Sequence, residues 1–214
     1  MKKQEMLFIA FAALLPLATA AQSGIEGRPY ASVSGGISTL NDADAKSADG
    51  VLEFDSESDI ALAAALGYDF GANFRMETEL SYQRNDVDKL NVKGSGRSTK
   101  ASGEIASTSG LLNGYYDFNN ISSVTPFVSA GIGMTKAELK DFGAVVGNRY
   151  LYLLDEPDGT AMAYQVGGGL SLALNYNLAL DLKYRYFSAV DLKLDDVEFD
   201  YSSHNVYGGI RASF

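Results

Sequence analysis

Between Asn177 and Phe187 the chain alternates residue by residue. Leu178, Leu180, Leu182, Tyr184 and Tyr186 occupy one set of positions, and Ala179, Asp181, Lys183 and Arg185 the other. A period of two sends successive side chains to opposite faces of a strand, whereas a helix would scatter both sets around its circumference. The segment is therefore predicted to be a strand with one apolar and one charged face. Phe74 to Gln83 repeats the pattern, with Phe74, Met76, Thr78, Leu80 and Tyr82 opposed to Arg75, Glu77, Glu79, Ser81 and Gln83. Six more segments read as strands: Tyr30 to Leu40, Ser58 to Phe70, Gly103 to Phe118, Val124 to Glu138, Thr160 to Leu174 and Ser202 to Phe214. With the first two, that makes eight.

The connections alternate in length. Gly71-Ala72-Asn73, Asn119 to Ser123 and Asn175-Tyr176-Asn177 are short, with Gly and Asn to supply the positive φ of tight turns. Asn41 to Glu57, Asn85 to Ser102, Leu139 to Gly159 and Asp191 to Tyr201 are long, polar and read as loops. Connections of that length count against a compact soluble domain. In outer-membrane barrels they are the rule on one side only, where aromatic girdles also mark the two interfaces. Tyr68, Phe70, Phe74, Tyr115, Tyr116, Phe118 and Tyr176 lie beside the short turns and are assigned to one girdle. Alternation alone fits both a soluble sandwich with its apolar face inward and a membrane barrel with that face toward lipid. The connections, the aromatic clusters, the leader and the final residue together select an all-β, eight-stranded antiparallel up-and-down transmembrane β-barrel.

That leader begins with Lys2 and Lys3, continues through an apolar run from Met6 to Leu17 and ends in Ala18-Thr19-Ala20-Ala21. These are the three parts of a secretory signal. The expected division is a signal peptide over 1–20, cut after Ala20 or alternatively Ala21, and a barrel domain over 21–214. Pro16 interrupts the run, and nothing later approaches the ~18 consecutive apolar residues of a spanning helix. The chain has no cysteine, which excludes disulfides, thiolate metal sites and a lipid-modified N-terminal Cys. Without Lys2, Lys3 and Glu5, 15 basic and 26 acidic residues remain. So acidic a chain repels phosphate backbones, and no nucleic-acid partner is expected.

The stretch Tyr164-Gln165-Val166-Gly167-Gly168-Gly169-Leu170, continued by Asn177 to Tyr186, resembles the outer-membrane β-barrel domain family that includes the opacity-type surface proteins. The ending from His204 to Phe214 is similar to that family's last strand. Terminal Phe214, preceded by Ala212, Ile210, Gly208 and Val206 at alternate positions, resembles the signal read by the barrel assembly machinery, which the resemblance implies as a partner. The family holds adhesins, structural proteins and small porin-like proteins, so the resemblance implies fold and compartment, not catalytic residues.

Arg75, Glu77, Glu79, Asp181, Lys183 and Arg185 fall on the face expected to line the lumen. Side chains largely fill an eight-stranded barrel, so these charges are expected to pair across it as a plug, with a conducting channel as the alternative. Lys89, Lys93, Arg97 and Lys100 make the second loop basic, a candidate contact for lipopolysaccharide phosphates or an anionic host polymer such as a sulfated glycan. Loops one and four are acidic but lack the ligand spacing and central Gly of a calcium loop, so no metal or other cofactor is expected. Asp200, Ser202 and His204 superficially suggest a triad. Alternate residues on a strand lie about 7 Å apart, however, too far for a nucleophile and its base. The expected function is non-enzymatic: a structural or adhesive surface protein presenting four extracellular loops to host molecules, neighbouring cells or envelope components, embedded in outer-membrane lipid. A small passive channel is the alternative, and a lipid-modifying enzyme a remote one.

Overall fold

The computed structural model describes residues 27–40, 43–47, 50–56, 59–92, 97–146, 149–152, 158–194 and 197–214, with side chains for 27–40, 59–85, 104–138, 159–190 and 201–214. The expected signal peptide lies outside the described residues. Eleven strands follow in chain order: β1 (Arg28–Leu40), β2 (Ala43–Ser47), β3 (Gly50–Ser56), β4 (Asp59–Asp69), β5 (Phe74–Val92), β6 (Arg97–Asp117), β7 (Val124–Val146), β8 (Arg149–Tyr152), β9 (Asp158–Ala173), β10 (Leu178–Leu194) and β11 (Val197–Ser213).

Eight of these, in the order β1, β4, β5, β6, β7, β9, β10, β11, pair antiparallel with their neighbours, and β11 pairs back to β1. The wall is a closed eight-stranded barrel. Successive paired residues from Tyr30 run through Gly67, Glu77, Asn113, Gly131, Gln165, Phe187 and Ser203, and return to β1 at Leu40 instead of Tyr30. This stagger tilts the strands against the barrel axis. It also sets which lumenal side chains meet at one level.

The three short turns form at the expected positions, but among the described residues positive φ occurs only in the first. At the other two, Asn120 Oδ1 accepts the Ser122 N–H and Asn175 Oδ1 the Asn177 N–H, side-chain bonds that turn the chain without it. At the first, Gly71, Ala72 and Asn73 all take positive φ, so an alanine shares the work of the two permissive residues. Asp69 helps by accepting the Gly71 N–H at 2.8 Å. The four long connections, read from sequence as loops, are a point of difference. Strands β5, β6 and β7 continue through much of two of them to lengths of 19, 21 and 23 residues. The hairpin of β2 and β3 fills the gap above β1 and β4 by pairing with β11 on one side and β5 on the other. Polar composition hid this because a hairpin outside the barrel's apolar band need not alternate apolar with polar residues.

Candidate functional site

The alternation sorts residues as the period of two requires. Val33, Leu62, Leu80, Ile132, Val166, Leu182 and Ile210 are exposed on the outer wall, while Arg75, Glu79, Gln83, Gln165, Arg185 and Asn205 are buried inside. The lumen is thus polar and filled, with two chemically different levels.

The level nearer the short turns is ionic. Arg75 on β5 donates from Nε and Nη2 to the two carboxylate oxygens of Asp117 on β6, at 2.6 and 2.7 Å. Arg211 on β11 is 3.0 Å from Asp181 on β10. Glu79 on β5 accepts a short hydrogen bond from Arg185 Nη1 and a 3.1 Å bond from Lys183 Nζ. Because β5 and β10 stand on opposite sides of the ring, this tie crosses the lumen. Arg185 also donates to Gln165 Oε1 at 2.7 Å and to the Tyr207 hydroxyl at 2.5 Å. Glu77 is held by neutral donors: the hydroxyls of Tyr115 (2.5 Å) and Tyr30 (3.0 Å) and the amide of Asn113 (3.3 Å).

Aromatic rings complete the ionic level. From Arg211 the cations and rings interleave as Tyr30, Arg75, Tyr115, Lys183, Tyr207, Arg185 and Phe187, each cation within 6 Å of the neighbouring ring centroids. Each buried cation therefore meets carboxylate oxygens as well as ring faces, two means of offsetting its lost hydration. Close packing of these side chains depends on glycine, as Gly67 and Gly131 show. A Cβ on Gly67 would lie 2.2 Å from the Tyr30 ring, and one on Gly131 1.9 Å from Asn113 Oδ1.

The six lumenal charges singled out in the sequence all reach this level, but only Glu79, Lys183 and Arg185 bond one another. Arg75 and Asp181 take Asp117 and Arg211 instead, two residues missed at the ends of their strands. Their inward position followed from alternation with Tyr115 and Gly209. Tyr115, assigned to the girdle, is a correction: its side chain is buried in the lumen on Glu77. Its neighbour Tyr116 faces out, so the period of two separates them. Tyr30, Asn113, Gln165 and Tyr207 were likewise legible as inward positions.

The second level is neutral. Ser38, Gln83, Asn85, Ser107, Ser109, Thr135, Ser203 and Asn205 are buried there among Ala61, Ala137, Ala161 and Ala163. Ser109 donates to Thr135 Oγ1 at 2.9 Å, and Ser107 shares a 3.1 Å hydrogen bond with the Tyr201 hydroxyl.

On the outer wall beside the short turns, Tyr68, Phe70 and Phe74 form one run of ring contacts and Tyr116 and Phe118 another. At the far end the circumference is divided. On β4 to β6, Arg84 lies 3.5 Å from Asp59 and 3.3 Å from Glu104, and on β7 Lys136 donates to Glu138 at 2.8 Å. On β9 to β11 the rim is Tyr164, Tyr184, Tyr186 and His204, with the Tyr184 hydroxyl 2.6 Å from His204 Nδ1. His204 and Ser202 lie on the outer wall, and the Asp200 side chain is outside the described residues. Phe214, Ile210, Gly208 and Val206 are exposed on that wall and Ala212 is half-buried. The side chains of Lys89, Arg97 and Lys100, and all of Lys93, lie outside the described residues. Among the described residues no group of three or more His, Asp or Glu is placed to hold a metal ion.

Residues 8–214 match the outer membrane protein beta-barrel domain. The chain belongs to this family. It is a β-barrel protein of the Gram-negative outer membrane, so its outer wall faces lipid, its short turns the periplasm and its long hairpins the cell exterior. Outer membrane protein PagN of Salmonella typhimurium is 27% identical over 152 residues, covering 67% of this chain and 63% of the relative's length. Among solved structures, OprG from Pseudomonas aeruginosa superposes with a TM-score of 0.52 at 15% identity, over 86% of this chain and 95% of its own. Neisserial surface protein A superposes at 0.49 with 20% identity, over 87% and 97%.

Proposed function

We propose that this protein is a non-enzymatic display barrel whose extracellular hairpins bind host or cell-surface molecules. The observation that carries the reading is the length of β5, β6 and β7, 19, 21 and 23 residues. A tilted strand needs about 9–11 residues to cross a bilayer, so roughly half of each serves the exterior. The Glu79 tie to Lys183 and Arg185 supports a closed barrel, because it joins opposite walls across the lumen. His204 engages Tyr184 on the lipid-facing wall, which favours an interfacial role over a catalytic one.

The β5–β6 hairpin suggests the chemistry of the ligand. Its register sets Lys89 directly opposite Lys100, and like charges at paired positions repel. An anionic polymer such as a sulfated glycan, or lipopolysaccharide phosphate, relieves that repulsion. Arg84 and Lys136 on the lipid-facing rim suit the same phosphates, and the last strand from Val206 to Phe214 suits the barrel assembly machinery. The test is adhesion of cells displaying the full chain to a sulfated-glycan surface, compared with a variant lacking residues 86–103. Loss of adhesion on deletion, and weakening with added salt, is expected. Undiminished adhesion by the deletion variant overturns the assignment.

A small channel is the second reading, favoured by a polar cavity of about 190 Å³ at the periplasmic mouth, lined by Asp69, Asp117, Ser171 and Arg211 among others. Steady current through purified protein in planar bilayers would establish it and remove the closed-lumen reading.

A further inference from the structure

Outside the bilayer the wall is closed differently. Followed from one end, the extracellular sheet runs β8, β7, β6, β5, β3, β2, β11, β10, each strand pairing with the next. The junction that would close the ring is missing. β9 and β10 pair from Ala173↔Ala179 to Met162↔Val190 and, among the described residues, no further. Beyond that point residues 158–161 of β9 and all of β8 pair only with β7, and residues 192–194 of β10 only with β11. A seam with a strand edge on either side therefore opens just above Met162 and Val190, both exposed on the apolar outer wall. A bulge accounts for the break. Between Ala189 and Leu192, β10 takes three steps while β11 takes two, from Tyr201 to Phe199, and an extra residue bends its strand and disrupts pairing. The β5–β6 and β6–β7 ladders also shift, at Val87/Lys89 and Ser102/Glu104, yet both resume beyond.

Elsewhere on the rim the fold itself shows what suits such edges. Where β1 and β4 end, the β2–β3 hairpin enters from the side and pairs with β11 and β5. A strand edge presents the N–H and C=O groups of alternate residues about 7 Å apart, a row that another extended backbone matches and a sugar or lipid phosphate does not. The β10–β11 hairpin bordering the seam carries Asp191, Glu198 and Asp200 against Lys193, which attracts a basic partner. We propose that the seam between β8 and β10 is a docking site for an extended, basic segment of a partner protein, held by strand addition. A second copy fits it poorly, because barrels in one membrane direct their β10 strands alike and bring like acidic hairpins together. The β5–β6 hairpin and its ligand take no part in this seam.

The test is binding of a fluorescent octapeptide alternating lysine and valine to the full chain in phosphatidylcholine nanodiscs, with empty nanodiscs subtracted. Saturable binding is expected, with amide hydrogen exchange slowed within 149–152, 158–161 or 191–194 and unchanged in the ladders below. The same peptide N-methylated at every valine keeps its charge but loses the N–H groups of one edge. It should bind about tenfold more weakly or worse, as the loss of two or more backbone bonds requires. Equal binding of the two peptides would mean attraction by charge alone and overturn strand addition. Slowed edge exchange in the protein alone that grows with its concentration would assign the seam to a second copy and overturn a peptide partner. Leu192→Pro and Lys193→Pro supply an independent readout. Adjacent residues turn their N–H groups to opposite edges, so one of the two faces the seam. That variant should lose peptide binding while keeping compact mobility on unboiled gels and adhesion to sulfated glycan. Full peptide binding by both variants overturns the site, and does so whatever the glycan assay gives.

Discussion

The two levels of the lumen solve the same problem differently. Near the periplasm, four basic side chains (Arg75, Lys183, Arg185, Arg211) and four acidic ones (Glu77, Glu79, Asp117, Asp181) are packed with tyrosine and phenylalanine rings. Toward the exterior, the same barrel is filled by serine, threonine, asparagine, glutamine and alanine around the ring of Tyr201. A buried ion needs several partners at once, and long cationic side chains can reach them across the full width of the barrel. Hydroxyls and amides also cross the lumen, as Ser107 does to Tyr201 and Ser203 to Gln83, but each does so through a single neutral hydrogen bond. The ionic level should therefore tie distant strands together strongly through several charge-assisted bonds, while the neutral level joins them more weakly, one hydrogen bond at a time.

The largest expected effect tests that difference at its centre. Arg185→Ala leaves Glu79, Gln165 and Tyr207 without their shared donor and should destabilise the barrel by about 3–5 kcal/mol, read as a lower urea midpoint after refolding in micelles. The same variant should lose its compact mobility on unboiled detergent gels at a lower temperature than the parent. Equal midpoints would mean that Arg185 is solvated, and the cross-linking role would have to be given up.

Next in size is the Arg75 and Asp117 pair. Arg75→Met alone strands a buried carboxylate and should cost about 3 kcal/mol, whereas adding Asp117→Leu should recover most of the loss. If the double variant is less stable than the single one, the pair contributes more than its mutual attraction. In the neutral level, Ser109→Ala removes one hydrogen bond and should cost about 1 kcal/mol. A loss as large as that of Arg185→Ala would erase the distinction between levels. Smallest of all, Lys93→Ala in the second extracellular connection should stay within about 0.5 kcal/mol. A larger shift in unfolding midpoint would show that this connection is integral to the fold.

Alternation in sequence made the inward set readable, including residues passed over for other reasons. Proximity to a turn groups Tyr115 with Tyr116, yet adjacent residues on a strand cannot share a face. The extracellular hairpins were not readable as strands, since their pairing arises from continuation of the barrel register and not from an apolar face. Loop polarity gave no sign that β2 and β3 would fit between β11 and β5.

Local pattern in the sequence sets the eight strands of the barrel wall, the face of the alternating residues and the positions of the tight turns. These depend on a period of two and on Gly and Asn, which allow positive φ at Gly71 and Asn73 and accept backbone N–H groups at Asn120 and Asn175. Tertiary structure alone decided the partners. Whether Arg75 meets Asp117 or Glu79, and why Lys183 and Arg185 converge on one carboxylate, depends on the stagger that brings Tyr30 around the ring to Leu40. That stagger is a property of eight strands closing together, and no single strand's pattern encodes it.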